Sequence, residues 1–386
     1  MPYVAGINPS FPGNPAAAPP YAASGTLGLA DLLRVNNTPV IDFGEERVFL
    51  SIANYLREYS ALVNENLDTF TFRTTKRVRG VGAPVLLQPT FTDEYGVPDV
   101  KKVAGAGQLG FPLIKHTFAM QWTYQWMRQH TPADMAMQAQ AAANGDMKAL
   151  QGKLASAIFS PTNYTFTDTL VDLMPVYVKA FCNADGFPIP ASPSGLTFDA
   201  TTHTHYTAVN STWPAVADID ALLNNVSEHY TSGKLVMYVP MSFGNYLYSN
   251  RAATYTDFAP LTYTDQSYAV TLTLGIGTLN PFNAQNRQIG VYKGAAVWVK
   301  PWVPDGYIFL ANNGSEAETK PIAMRVPLGL GGDNGDFRPI FKSAGFPTSV
   351  EILERQYGFG VNDRTAGAVL QFNGGSTTYG APTLTF

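Results

Sequence analysis

Phe70-Thr-Phe-Arg73 and Phe111-Pro-Leu-Ile114 are two strand-like runs separated by a stretch rich in Gly, Pro and charge. A connection of roughly thirty residues or more is longer than compact domains commonly tolerate. Paired with each other, the two runs would make a protruding ribbon, and an isolated two-stranded ribbon is marginal in water. Such an arm cannot bury its own apolar face, so the sequence implies an external cover. The natural cover is a neighbouring copy of the same chain.

Upstream of these runs, residues 1 to about 40 are dominated by Pro, Ala, Gly and Asn without a lasting period. They read as an extended arm that is ordered only where it docks. Asp42-Phe-Gly-Glu45 has capping-box spacing, and Val48, Phe49, Ile52, Leu56, Tyr59 and Val63 follow in steps of three and four, which predicts an amphipathic helix. Downstream, Thr131-Pro-Ala-Asp134 places a cap, a first-turn proline and an acid where a helix should begin. The stripe Met135, Ala139, Ala142, Met147, Leu150, Leu154, Ile158 carries that helix to about Phe159, a length of ~40 Å if unbroken. Its weak point is Asn144-Gly145, where a glycine costs about 1 kcal/mol and a kink is expected.

Beyond Pro161 short strands alternate with short helices, an α+β pattern. Strands are expected at 174–181, 234–239, 288–292, 296–300, 307–310 and 322–326, and helices at 215–230 and 241–250. Two closing strands follow, one over 350–361 that alternates apolar and polar residues, the other over 366–372.

With 386 residues and 45% hydrophobic content the chain can bury a large core. Charged residues are only 14% of it, whereas 23 Phe and 20 Tyr demand broad aromatic burial, a balance that suits large interfaces. The net charge of −4 provides no global field for phosphates, which argues against a dedicated DNA reader. The single cysteine, Cys182, excludes an internal disulfide and reads as a small buried apolar residue, not a nucleophile. The opening Met1-Pro-Tyr-Val-Ala-Gly6 lacks a basic stretch followed by an apolar run, and no segment approaches bilayer-spanning length. The expectation is a protein made in a cytoplasm, without membrane contact.

Motifs for chemistry are sparse. Gly105-Ala-Gly-Gln-Leu-Gly110 matches the dinucleotide fingerprint by letter, but Phe111-Pro112 follows at once where a helix would have to open, so a flexible ribbon turn is the better reading. Thr202-His-Thr-His205 sets two imidazoles two residues apart, yet no cysteine or acid at ligand spacing completes a metal site, and a polar surface strand or loop is expected. His116, His130 and His229 lie far apart in sequence and outside any recognisable motif. The acid pairs Glu45-Glu46 and Asp93-Glu94 are sequence neighbours, which seldom face each other across a substrate bond. No catalytic, cofactor-binding or metal-binding residues are therefore expected, and no enzymatic activity.

The order of arm, helix, basic ribbon, proline-initiated long helix, α+β body and terminal strand pair resembles the major capsid proteins of tailed bacteriophages, with their Hong Kong 97-type fold. The stretches most like that family are Gln129-His-Thr-Pro-Ala-Asp-Met135 and Glu354-Arg-Gln-Tyr-Gly-Phe-Gly-Val-Asn-Asp-Arg-Thr-Ala-Gly-Ala368. The resemblance implies an N-terminal arm over 1–43, a helix over 44–69, and an extended β-ribbon loop over 70–117. A spine helix with the first part of a peripheral domain would occupy 118–208, and an axial domain 209–341. Closing peripheral strands would take 342–373 and a tail 374–386. It also implies self-assembly as pentamers and hexamers into an icosahedral shell around double-stranded DNA, bound non-specifically. Further implied partners are a portal and possible scaffolding, maturation-protease or decoration proteins, with the product a virion assembled in the host bacterial cytoplasm. The basic residues Arg73, Lys76, Arg77, Arg79, Lys101 and Lys102 are either a solvated face or intersubunit contacts that fix register with a neighbour. Two other readings stay open, an encapsulin-type compartment with the same fold and a β-rich carbohydrate-binding or hydrolytic protein.

Overall fold

The expected long helix forms as Pro132–Phe159, 28 residues and about 42 Å of rise. In this computed structural model the structure describes residues 28–82, 105–265, 270–273, 286–314, 320–328, 335–343 and 346–384. The helix starts on a capping box: Thr131 N–H and Oγ1 both donate to Asp134 Oδ2, at 2.9 and 3.0 Å. It runs helical through Asn144-Gly145, without the expected break. The bare face of Gly145 is occupied by the Phe118 ring, which a Cβ would approach to 3.1 Å, so packing offsets the intrinsic cost of glycine. The N-terminal half of the helix buries Met135, Ala136, Ala139 and Ala143 against Phe49, Ile52 and Leu56 of the preceding helix, Glu45–Asp68. That helix opens from Gly44 at φ +108°, while Asp42 belongs to a separate turn of helix, Val40–Phe43. The capping-box reading of Asp42 is thus corrected, since a left-handed glycine parts the two segments. Residues 28–43 dock here through Leu32, Val35, Val40 and Phe43, and the rest of the arm lies outside the described residues.

Two sheets flank the C-terminal half of the long helix. The first is organised by Thr348–Val361, a strand of 14 residues. Its first ten residues pair antiparallel with Ile114–Thr123, its segment 350–354 pairs on the other side with Arg338–Ser343, and its last four pair with Ile322–Arg325. Thr71–Thr74 then adds in parallel to Ile322–Arg325. The pairing of Phe70–Arg73 with Phe111–Ile114 expected from the sequence is therefore wrong. Each run joins this sheet through a different partner, and both are better buried there than in a two-stranded ribbon. The ribbon that does form is shorter, Val78–Gly82 against Gly105–Gly110, with the connecting residues outside the described ones. Gly105–Gly110 is a strand, which corrects the expected flexible turn.

The second sheet has seven strands in the order Tyr206–Ala208, Gly367–Gln371, Tyr307–Asn312, Leu235–Val239, Ala295–Val299, Arg287–Tyr292 and Phe258–Pro260. Its central strands are buried on both faces, hence their unbroken apolar runs. Met237, Val239, Ile308 and Leu310 meet the helices Val216–Ser227 and Met241–Ser249 through Ile219, Leu222, Phe243 and Leu247. The alternate residues Tyr238, Phe309 and Val369 face Leu154, Ile158 and Phe159 of the long helix. Each such fully buried side chain contributes about 1.5–3 kcal/mol of apolar burial. The span 209–341 expected for one domain is not contiguous in space, because 322–325 and 338–343 pair in the first sheet while 367–371 pairs in the second.

Candidate functional site

The junction of helix, sheet and ribbon is fixed by two buried ionic nodes. Asp146, midway along the long helix and fully buried, accepts from Arg355 Nε at 2.9 Å, from Tyr59 Oη at 2.8 Å and meets His116 Nε2 at 2.5 Å. Arg355, also fully buried, sets its Nη2 2.9 Å from Asp146 Oδ2 as an ion pair and donates its Nη1 to Gly335 O at 2.8 Å. Four segments meet at this one carboxylate. Burial first, then the Asp146 charge, pushes the Tyr59 phenol far above its ordinary value, so it stays a donor. The second node is Asp168, fully buried, which takes Arg325 Nη2 at 2.7 Å and Arg77 Nε at 3.4 Å.

The basic residues anticipated as intersubunit contacts separate here. Arg73 pairs with Asp68 at 2.7 Å, and Arg77 also reaches Asp172 at 2.6 Å. Arg79 donates to Asn362 Oδ1. All three have partners in their own subunit, where they hold the ribbon base to the body. Lys76 is exposed and forms no ion pair among the described residues. Lys101 and Lys102 lie outside the described residues.

The ribbon base is also packed: Leu109, Phe111 and Ala323 form a small buried cluster with Phe187 alongside. Phe111-Pro-Leu-Ile lies so close to the end of the long strand that a Cβ on Gly358 would fall 2.0 Å from Pro112 O. Only glycine permits that crossing.

Apolar surface remains wet in two places. The hairpin Tyr164–Thr167 with Pro175–Val178 exposes Tyr177, and its turn exposes Val171, Leu173 and Met174, each by more than half. Leu173 adopts φ +61°, a left-handed conformation that costs a branched side chain energy. Arg338–Ser343 lies at the edge of the first sheet, with Ile340 and Phe341 about half exposed. Wet apolar side chains beside an unpaired strand edge are features of surfaces that receive another chain.

Of the pair His203 and His205, the first is a partly exposed loop residue and the second is buried, against the polar surface expected for both. His205 is 4% exposed and His229 8%, and the Nε2 atoms of His203 and His205 each lie 3.1 Å from His229 Nε2. Burial, then the neighbouring imidazoles, lowers the pKa of His205 to about 3 and that of His229 to about 4. Sequence reading missed His229, although a signal was present. Ile219, Leu222, Leu223 and Val226 are the buried face of their helix, and position 229 continues that stripe by three residues. Cys182 is buried as expected, and burial pushes its thiol up to about 12. No described helix is long and apolar enough to cross a membrane.

No family model and no curated protein matches the sequence. Among solved structures the chain is similar to one described as Mycobacterium phage Patience, at 16% identity and a TM-score of 0.60, covering 94% of this chain and 97% of that one. It is also similar to the capsid of cyanophage P-SCSP1u (9% identity, TM-score 0.47, 79% of this chain and 86% of that). A third is the holo-SrpI encapsulin complex of Synechococcus elongatus PCC 7942 (11% identity, TM-score 0.41, 84% and 91%). The first match spans nearly the whole of both chains, and the fold is the Hong Kong 97-type one.

Proposed function

We propose that this chain, with its Hong Kong 97-type fold, is the major capsid protein of a tailed phage, self-assembling as pentamers and hexamers into an icosahedral shell that encloses double-stranded DNA. The observation that carries this reading is the fold shared with a phage structure over 94% of the chain. The wet hairpin residues Val171, Leu173, Met174 and Tyr177, and the open edge at Arg338–Ser343, fit it as surfaces that neighbouring copies cover. In this reading Val78–Gly110 is the extended loop, Pro132–Phe159 the spine, the seven-stranded sheet the axial domain and the sheet built on Thr348–Val361 the peripheral one. Lys76, with Lys101 and Lys102, then supplies charge pairing between subunits, while Arg73, Arg77 and Arg79 hold the loop to its own body. The shell is assembled in the host cytoplasm with a portal and any scaffolding or decoration proteins.

Electron microscopy and sedimentation of the purified chain test the proposal. Closed shells that package DNA are expected. A monodisperse monomer at every protein and salt concentration rejects it, and small shells filled with a cargo enzyme transfer the chain to the encapsulin reading. Leu173→Asn provides an internal control. Asparagine tolerates the left-handed backbone, so the fold should hold or gain slightly, while shell yield should drop.

A further inference from the structure

The loop residues His203 and His205 and the post-helix residue His229 bring one ring nitrogen each to within 4.8 Å of the others, with the Nε2 atoms of His203 and His205 both 3.1 Å from His229 Nε2. The orientation of His205 is fixed by its other nitrogen. Its Nδ1 lies 3.0 Å from Gly367 O, which can only accept, so Nδ1 carries the proton and Nε2 offers a lone pair inward. A backbone carbonyl holding the far nitrogen is the arrangement by which metal-ligating histidines are oriented. Glu228 lies next in the chain to His229. Its Oε1 is shut from solvent and takes no hydrogen bond, although it sits 3.2 Å from His203 Nε2 and 3.8 Å from His229 Nε2. Phe198 covers the group, with its ring 4.3 Å from His203 and 4.5 Å from His229.

We propose that His203, His205 and His229, with Glu228 as a fourth ligand, form a structural site for a divalent transition metal, with Zn²⁺ the best-matched ion. Three neutral imidazoles and one carboxylate suit a borderline-soft ion that prefers tetrahedral nitrogen and oxygen donors. Zinc–nitrogen bonds of about 2.0–2.1 Å imply nitrogen–nitrogen edges of about 3.3 Å in a tetrahedron. Two edges here measure 3.1 Å and the third lies within 4.8 Å, so binding draws His203 and His205 toward each other by up to about 1.5 Å. The positive charge also answers the Glu228 Oε1 atom, which accepts no hydrogen bond among the described residues. Arg364, a cation on the same cavity, is held by Asp185 at 2.6 Å and by Ala180 O at 2.9 Å. A cavity of about 150 Å³, lined by His203, His205, Phe187, Ala200, Asp363 and Arg364, gives an ion access. Bound there, the metal ties the long loop before Tyr206–Ala208 to the end of the helix Val216–Ser227, across the edge of the seven-stranded sheet.

The test is a titration of the full chain, stripped with a chelator, against ZnCl₂ by calorimetry, and against Co²⁺ by visible absorption. One ion per chain is expected, with the intense d–d bands of a tetrahedral cobalt site, and a thermal midpoint that rises with free Zn²⁺. His205→Gln should weaken binding at least tenfold. Because His205 is buried, His203→Asn at the partly exposed position serves as the second variant, and it should also weaken binding at least tenfold while leaving the circular dichroism of the metal-free chain unchanged. Absence of saturable binding in the parent overturns the site, as does parental affinity in a folded His203→Asn. The readout is independent of shell assembly, so failure of either proposal leaves the other standing.

Discussion

Replacing Asp146 by alanine should destabilise this molecule severely. Asp146 and Arg355 are both fully buried, and the carboxylate also receives Tyr59 and His116. Removing it leaves a guanidinium in a dry interior against Tyr59 and Phe337, a loss of about 3–5 kcal/mol for a buried pair broken on one side. A chain of 386 residues unfolds with an entropy near 0.8 kcal/mol per kelvin, at about 2.1 cal/mol/K per residue, so the midpoint should fall by roughly 4–6 °C. The diagnostic variant is the double substitution Asp146→Leu with Arg355→Met, which removes both charges and keeps apolar volume. It should recover most of the loss, because the pair's own desolvation cost disappears with it. Differential scanning calorimetry and urea unfolding of parent, both singles and the double complete the cycle. If Asp146→Ala costs under about 1 kcal/mol, or the double is as damaged as the singles together, the charge-burial argument is refuted.

Gly358→Ala should destabilise by about 1–3 kcal/mol or prevent folding, since the new methyl would meet the backbone at Pro112 O; an unchanged urea midpoint would show that the crossing has slack. Glu351, 2% exposed, has its carboxyl raised by burial from 4.5 to about 7, with Lys342 opposing. The folded state therefore holds the proton more tightly, its stability is fullest below pH 4.5, and it declines by at most about 3 kcal/mol as pH climbs to 7. Glu351→Gln should flatten that decline, and an identical pH slope in urea unfolding at pH 5 and pH 8 would contradict the assignment. Arg77→Ala should lower the unfolding midpoint, by leaving buried Asp168 with Arg325 alone, whereas Lys76→Ala should stay within about 0.5 kcal/mol of the parent and reduce the salt tolerance of assembled shells. Equal effects of the two on unfolding would remove the distinction drawn between them.

What was legible in the sequence was local. The long helix announces itself through Thr131-Pro132 and Asp134, and the last long strand through its β-like run, although the face it buries is Ser349, Glu351, Leu353, Arg355 and Tyr357 while Val350 and Ile352 stay half-buried. Strand partnership was not legible. An apolar run such as Phe70-Thr-Phe carries no mark of whether it pairs with 111–114 or, as it does, with 322–325 some 250 residues on, because backbone hydrogen bonds are the same with either. The same blindness hid the meeting of Asp146 with Arg355 and of His229 with His203 and His205. Charge reading at the ribbon singled out Arg73 and Arg77 as candidate contacts with a neighbour and could not see that Asp68, Asp168 and Asp172 lie beside them.

The organising role of Thr348–Val361 bears on synthesis. Ile114–Thr123, Ile322–Arg325 and Arg338–Ser343 all take it as their partner, and Thr71–Thr74 attaches only through one of them. On a ribosome Ile114–Thr123 emerges more than two hundred residues before its mate and, among the described residues, has no partner strand to join until 348–357 have been made. The nascent chain must carry open strand edges for most of its translation, at the stage when promiscuous edge pairing is most hazardous. Loss of residues 348–361 leaves only the pair Thr71–Thr74 with Ile322–Arg325 of this sheet.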